Sequence, residues 1–111
     1  MMPKQGDIYL ADLNPVKGHE QAGLRPVLVM QNNVLNTNLS TVIIAPLTTN
    51  PKAKGKLTTF HIPAKKHGVE RESIVLLYQI RTLDKGRLMR KVGELNNEQF
   101  SEVKKQLHFV F

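Results

Sequence analysis

Two predicted strands frame a polar loop in residues 6–29, which read GDIYLADLNPVKGHEQAGLRPVLV. The apolar run 8–11 predicts the first strand, and residues 25–31 predict the second. Pro26 has no N–H to donate to a neighbouring strand, so we expect it at a strand start or at a sheet edge. A turn alone does not need a permanently charged guanidinium at the entry of an apolar strand. Arg25 is therefore the first candidate for a functional residue.

The remaining predicted strands are short and follow one another at nearly regular intervals. Their predicted positions are residues 41–45, 57–62, 73–81 and 90–95. Residues 73–81 make the strongest strand of the chain because β-branched side chains favour extended backbone. Pro46 is expected to close the third strand, and the Asn-rich residues 31–40 are expected to be irregular.

The carboxyl-terminal residues have the pattern of a capped helix. Asn96 can accept the first hydrogen bonds, Gln99 occupies the capping-box position, and Leu95 can pack on Phe100 as a hydrophobic staple. Apolar residues then recur at helical spacing at Phe100, Val103, Leu107 and Val110. Short strands followed by one covering helix predict a mainly β fold, a small curled β-barrel with a C-terminal α-helix. We expect residues 1–111 to form one domain.

The net charge of +7 is concentrated in the middle of the chain. Residues 1–50 sum to zero, residues 51–91 carry +8 and residues 92–111 carry −1. Clustered Lys and Arg favour a polyanionic partner, because phosphate contacts release counterions. A solvated basic face would give the same pattern, and charge alone leaves both interpretations open. The loop 47–56 contributes three bases and no acid, at Lys52, Lys54 and Lys56.

Several classes of function find little support in the composition. The chain has no Cys, which excludes a disulfide scaffold, a thiolate metal site and a Cys nucleophile, and suits a reducing cytoplasm. His61 and His67 lack the further ligands of a zinc site, so no metal or cofactor is expected. Neither a Gly-rich phosphate loop nor a Gly-x-Ser-x-Gly elbow is present. With no leader-like or membrane-spanning apolar run, we expect a cytoplasmic protein.

Three polar stretches remain as candidates for chemistry. The loop before the second strand offers an acid–base group, an acceptor and an amide in His19, Glu20 and Gln21. A guanidinium at Arg25 can bind a phosphate bidentately, or it can pair with Glu20 or Asp12 to satisfy the loop. Thr48 can point its hydroxyl into a cleft, or it can cap its own strand end. The third stretch, residues 77–84, is predicted to place Gln79 and Arg81 on one face of a strand.

Taken together, these stretches resemble the MazF/PemK family of type II toxin–antitoxin endoribonuclease toxins. Residues 6–29 match the amino-terminal signature of that family, with Gly-Asp at the first strand, an Asn-Pro turn, and Gly-x-Glu-Gln-x-Gly-x-Arg-Pro. VIIAPLTTN at residues 42–50 matches the second block, and QIRTLDKGRL at residues 79–88 matches the third. The resemblance runs from Gly6 to about Phe109.

The resemblance implies a fold, an activity and a set of partners. The fold is the CcdB/PemK (MazF)-type small barrel, which is Src-homology-3-like, and the protein is usually a homodimer. The activity is metal-independent, sequence-selective cleavage of single-stranded RNA (mRNA) by 2′-OH attack, which leaves 2′,3′-cyclic phosphate and 5′-OH ends. The antagonist is an acidic, MazE-like antitoxin whose disordered tail occupies the RNA groove. The family also leaves room for DNA binding through the antitoxin complex.

The same resemblance carries residue roles onto this chain. Arg25 and Thr48 correspond to the catalytic Arg and Thr, while the general base is left open, with His19 as the physically easiest candidate. Tyr78 stands where the family often has an acid, and its ring could stack on an unpaired base. The charge pattern and the resemblance together nominate nine RNA-binding residues, which are His19, Glu20, Gln21, Lys52, Lys54, Lys56, Tyr78, Gln79 and Arg81.

Two alternatives from other classes stay open on sequence grounds. A CcdB-like gyrase poison would share the fold, but such proteins use a Trp near the carboxyl terminus and this chain has no Trp. A non-catalytic single-stranded RNA-binding barrel would explain the charge, but it leaves the pairing of Arg25 with Thr48 without a purpose.

Overall fold

The structure is a computed structural model that describes residues 2–14 and 23–111. Within these residues the chain forms seven strands, two α-helices and three single turns of 3₁₀ helix. The strands and α-helices are β1 (Asp7–Asp12), β2 (Leu24–Val29), α1 (Asn33–Asn38), β3 (Thr41–Thr48), β4 (Thr59–Ile62), β5 (Ser73–Leu76), β6 (Arg81–Asp84), β7 (Leu88–Glu94) and α2 (Asn97–Leu107). The 3₁₀ turns are Pro51–Ala53, Leu77–Gln79 and Lys85–Arg87.

The strands form an antiparallel sheet in which β3 is central. The spatial order is β4-β5-β3-β2-β1-β7, and β6 pairs with β3 beside that path. Because β6 and β7 are joined by the short turn Lys85–Arg87, the five strands β7-β1-β2-β3-β6 curl until their two ends approach each other. The predicted small barrel is confirmed.

Apolar side chains cover both faces of the curled sheet, because successive residues of a strand point to opposite sides. All five barrel strands contribute to an inner cluster, which contains Tyr9, Ala11, Leu13, Val27, Val29, Val42, Ile44, Leu83 and Leu88. An outer cluster packs β4, β5 and α2 on the barrel through Ile8, Leu28, Met30, Ala45, Leu47, Ile62, Val69, Val75, Leu77, Leu95, Phe100 and Val103. Each fully buried Val or Leu stabilises the fold by about 1.5–3 kcal/mol.

The terminal helix begins as the sequence predicts. The Asn96 side chain accepts a hydrogen bond from the Gln99 backbone N–H at 2.8 Å, and the Gln99 side chain accepts one from the Asn96 N–H at 2.9 Å. Leu95 and Phe100 lie in the same core cluster, as a hydrophobic staple requires. No helix in the described part of the chain is long and apolar enough to cross a membrane.

Two predictions about β3 and the segment before it are wrong. Residues 31–40 contain the helix α1, whose first turn is capped by the Asn32 side chain accepting from the Leu35 N–H at 3.0 Å. Pro46 does not end β3, which continues to Thr48. Pairing of β3 with β6 stops at Ile44, and pairing with β5 starts at Leu47. Pro46 falls in the interval between these two ladders, where a missing N–H costs least.

The predicted strand 73–81 is also wrong as a single element. It divides into β5, the turn Leu77–Gln79 and β6. Both strands pair with β3, but in different registers: Leu47 lies opposite Val75, whereas Ile44 lies opposite Arg81. The three-residue step from Ile44 to Leu47 on β3 therefore corresponds to a six-residue step from Val75 to Arg81 on the opposite side. The three extra residues form the 3₁₀ turn. The other predicted strands are confirmed with small shifts at their ends.

Candidate active site

Arg25 lies at the second position of β2, on the face that lines the barrel. Its Cα partner on β1 is Ala11, a member of the inner cluster. The residue is half-buried, so its backbone is fixed by the sheet while part of its long side chain reaches the surface.

Thr48 is the last residue of β3 and is 7% exposed. Its Oγ1 accepts a hydrogen bond from the Asn50 backbone N–H at 3.2 Å, which is the local capping role that the sequence left open. A Thr hydroxyl accepts and donates at the same time. The cap leaves the O–H of Thr48 able to donate to a ligand, so capping and ligand binding are compatible.

The register of β2 and β3, continued past its last recorded pair, predicts that these two residues lie near each other. The last recorded pair at this end is Val27 with Pro46. Two further residues in the same register bring Arg25 opposite Thr48, on the same face as that pair. Directly opposite residues have Cβ atoms about 4.5–5.5 Å apart. The extrapolated register therefore predicts a guanidinium and a hydroxyl at the same end of the barrel, which we call the barrel mouth.

The residues of the third sequence block lie on the other flank of β3. Arg81 starts β6 opposite Ile44 and is half-buried. Gln79 is also half-buried, but it lies in the turn Leu77–Gln79 and not on the predicted strand. That turn buries Leu77 and presents Tyr78, which is 51% exposed. The phenol ring of Tyr78 is thus open to a binding partner.

The basic loop leaves the barrel directly after Thr48. Lys52, Lys54 and Lys56 are all exposed, but they are not equivalent. Lys54 Nζ lies 3.2 Å from Glu72 Oε2, and His61 Nε2 lies 3.0 Å from the same oxygen. The hydrogen bond from His61, followed by that from Lys54, holds the pKa of Glu72 below its usual value. Sequence inspection missed this contact because Glu72 is distant along the chain.

Three predicted site residues, His19, Glu20 and Gln21, lie outside the described residues. Among residues 2–14 and 23–111, no three His, Cys, Asp or Glu side chains come together in a group that could hold a metal ion.

Sequence reasoning also missed a cavity of about 520 Å³ beside this end of the sheet. Pro26 and Thr49, the immediate neighbours of the two barrel-mouth residues, line it together with Arg71 and Arg90. The excess positive charge of residues 51–91 was the one sequence signal that could have pointed to these arginines.

Comparison with known protein families decides where the chain belongs. Residues 4–111 match the family of PemK-like, MazF-like toxins of type II toxin–antitoxin systems. The chain belongs to the MazF/PemK toxin family. It is 48% identical over 108 residues to endoribonuclease EndoA of Bacillus subtilis, a match that covers 96% of this chain and 92% of the relative.

Solved structures of MazF proteins share the fold of this MazF/PemK-family chain. MazF from Deinococcus radiodurans superposes with a TM-score of 0.83 at 29% identity, covering 99% of this chain and 96% of that one. A structure described as MazE-MazF from the same organism gives a TM-score of 0.77 at 28% identity, with the same coverage. The MazF-type fold predicted from the sequence is therefore confirmed.

Proposed function

We propose that this chain is the toxin of a type II toxin–antitoxin system and cleaves single-stranded RNA, including mRNA, at selected sequences without a metal ion. Its family and its 48% identical relative, which is named an endoribonuclease, establish the enzyme class. The observation that supports the mechanism is the register of β2 and β3, which, continued two residues past its last pair, would bring Arg25 and Thr48 together at the barrel mouth. That relative also weakens the gyrase-poison and non-catalytic alternatives.

The chemistry needs no group beyond the RNA and the protein. The ribose 2′-oxygen attacks the adjacent phosphorus, its proton is removed, and the bond from phosphorus to the 5′-oxygen of the next nucleotide breaks. The leaving oxygen takes up a proton, which gives a 2′,3′-cyclic phosphate and a 5′-OH. Negative charge grows on the phosphate oxygens in the transition state. Donors aimed at such charge contribute about 3–4 kcal/mol each in enzymes.

Arg25 and Thr48 divide this task in a way that suits their chemistry. The planar fork of Arg25 matches two phosphate oxygens, and the Thr48 hydroxyl donates one further bond. Arginine keeps its proton at ordinary pH, so Arg25 acts as an electrostatic stabiliser whose N–H groups donate hydrogen bonds to the phosphate oxygens, and the leaving oxygen takes its proton from water. Removal of the 2′-OH proton suits His19, whose unperturbed pKa lies near 6.5.

The remaining nominated residues would hold the RNA strand. Tyr78 is exposed and can stack on an unpaired base, while Gln79 and Arg81 flank β3 opposite the side of Arg25. Cations along residues 52–56 would bind backbone phosphates. His19, Glu20 and Gln21 complete the set.

The proposal includes partners of defined chemistry. A cognate antitoxin with an acidic segment would compete with RNA for the cationic surface, and the similarity to the MazE-MazF structure supports such a complex. The toxin would act as a homodimer, in the cytoplasm where mRNA is found.

The direct test is to incubate the purified protein with single-stranded RNA in excess EDTA and to identify the fragment ends. We expect cleavage to continue and to leave 2′,3′-cyclic phosphate and 5′-OH ends. An RNA with a 2′-deoxy sugar at the cut nucleotide is the matched control, and it should stay intact because it lacks the attacking oxygen. Loss of activity on chelation, or 3′-OH ends, would contradict the mechanism.

A further inference from the structure

We propose that the cavity beside the barrel mouth binds a backbone phosphate of the same RNA strand, on the flank of the cut site. This inference rests on the proposed function. We call the cavity the arginine furrow: its lining includes Arg71 and Arg90 together with the apolar residues Leu10, Pro26 and Val92. Its ionisable lining residues are three bases, Arg71, Arg90 and Lys91, and one acid, Glu70. The nine RNA-binding residues nominated from the sequence include neither arginine.

The position of the furrow is set by the strand ends that form the active site. Pro26 follows Arg25, and Thr49 follows Thr48, so each catalytic candidate has its next neighbour in the furrow. Successive strand residues point to opposite faces of the sheet. The furrow therefore lies on the outer face of the sheet, next to the barrel mouth. Thr48 ends β3 and Thr49 is exposed. An RNA strand that crosses Thr48 therefore reaches the furrow by passing round the end of β3.

The charges of the furrow are available to a ligand. Arg71 and Arg90 are exposed, and neither forms an ion pair with any residue in the described part of the chain. Lys91 differs, because its Nζ lies 3.2 Å from Asp7 Oδ1 and 3.0 Å from Glu94 Oε1. These carboxylates raise the pKa of Lys91 and neutralise its charge locally. The two guanidinium groups are thus the available cations.

Cavity size alone would not single out this furrow. A cavity of about 550 Å³ lies elsewhere on the protein, lined by Asp12, Asp84 and Arg87 among others. Its ionisable lining residues carry two acids and one base, and the Arg87 Nη1 already donates to the Asp12 backbone carbonyl at 3.4 Å. That cavity would repel a phosphate. Of these two cavities, the arginine furrow has the net positive lining and is the better anion site.

The backbone segments that lead to Arg71 and that carry Arg90 are in direct contact. A Cβ on Gly68 would lie 2.1 Å from the Val92 carbonyl oxygen, and one on Gly93 would lie 1.8 Å from the His67 carbonyl oxygen. The loop that leads to Arg71 is therefore pressed directly against β7, which carries Arg90. Fixing both side-chain bases lowers the ordering cost of binding. Guanidinium groups bind phosphate oxygens bidentately, and the apolar lining residues can contact the sugar or base.

The test compares the Arg71→Ala/Arg90→Ala double variant with wild type and with a Lys4→Ala/Lys105→Ala control. The control removes the same number of positive charges from exposed positions outside the furrow. The probes are two uncleavable RNAs with a 2′-deoxy sugar at the cut nucleotide, a short one that covers the cut site and one extended on both sides. Affinity is measured at several salt concentrations, and thermal melting checks the fold.

For the extended RNA, we expect the double variant to bind more weakly and the slope of log K against log salt to become shallower by about 0.7, the value for one phosphate contact on a single strand. The short RNA should bind with wild-type affinity, and the control variant should retain wild-type affinity and slope for both probes.

Wild-type behaviour of the double variant on the extended RNA would overturn the inference, and so would an equal loss on both probes. A variant that binds RNA normally but loses affinity for an acidic peptide would assign the furrow to a protein partner, and would overturn the assignment to RNA. If the wild-type protein neither binds nor cuts RNA, the proposed function itself fails. The wild-type arm separates that failure from a failure of the furrow alone.

Discussion

Polar side chains lie near both ends of β3, but the hydrogen bonds recorded at the two ends differ. At its start, the buried Gln31 donates to Asn36 Oδ1 at 2.9 Å and to the Thr41 carbonyl at 3.0 Å. Asn36 donates back to the Gln31 carbonyl at 2.8 Å, and Lys85 donates to the Asn36 carbonyl. At its end, Thr48 receives one backbone hydrogen bond and leads into an exposed basic loop.

This difference separates stability from proposed function along a single strand. A buried amide that loses its partner costs about 1–3 kcal/mol, so the start of β3 should matter for folding. Hydroxyl and guanidinium groups can bind an anion strongly when they converge. The end of β3 should therefore matter for cleavage.

The largest expected effect is at the barrel mouth. Arg25→Ala should lower the single-turnover rate of RNA cleavage by about 10²–10³-fold, because it removes a donor aimed at transition-state charge. We expect the fold to be retained, and the urea midpoint of unfolding checks this. Arg25→Lys keeps the charge but loses the fork, and should give an intermediate rate. Cleavage by Arg25→Ala near the wild-type rate would move the chemistry elsewhere.

At the other end, Asn36→Ala should lower the free energy of unfolding by about 1–3 kcal/mol, because it removes the buried donor to the Gln31 carbonyl and one of the two acceptors of the Gln31 side chain. Asn38→Ala on the same helix is the matched control: Asn38 is exposed and donates to the Val34 carbonyl at 2.8 Å. Its effect should stay within about 0.5 kcal/mol. Urea unfolding measures both. A folded Asn36→Ala protein that cleaves RNA slowly would show that the two ends are coupled.

The parts of the fold that the sequence predicts are those fixed by local contacts. The capping box of Asn96 and Gln99 needs only neighbours, so α2 was predicted with its start. Helix α1 was missed because its stability comes from Asn36, which is 1% exposed and bonded to Gln31 outside the helix. A helix that is held in place by a buried amide lacks the apolar periodicity from which helices are predicted.

The division of residues 73–81 could not be predicted either, because it depends on how two strands share β3. The surplus of residues that winds into Leu77–Gln79 appears only once both registers are known. The same limit applied to Glu72, which approaches Lys54 through tertiary structure alone. The roles of Arg25 and Thr48 remain predictions, and so does the organisation of residues 1–111 as one domain.

The smallest expected effect concerns the ion pair that occupies part of the basic loop. Glu72→Gln should release Lys54, raise RNA affinity slightly and steepen the slope of log K against log salt by up to about 0.7, the value for one phosphate contact. Glu102→Gln is the matched control, because it removes an exposed partner of Lys105 (3.3 Å apart) on α2. Equal affinities for the two variants would mean that Lys54 does not touch RNA.

The same variant has a distinct signature in acid. Hydrogen bonds from His61 and Lys54 lower the pKa of Glu72 in the folded state, below its unfolded value of about 4.3. The contact therefore stabilises the fold above that pH, and the stabilisation is lost as the pH falls through the folded pKa. Glu72→Gln should flatten the decline of stability in this acid range, by a small amount because the pair is exposed. If stability at neutral pH instead fell as far as in Asn36→Ala, the end of β3 would also be structural, and the contrast between its two ends would fail.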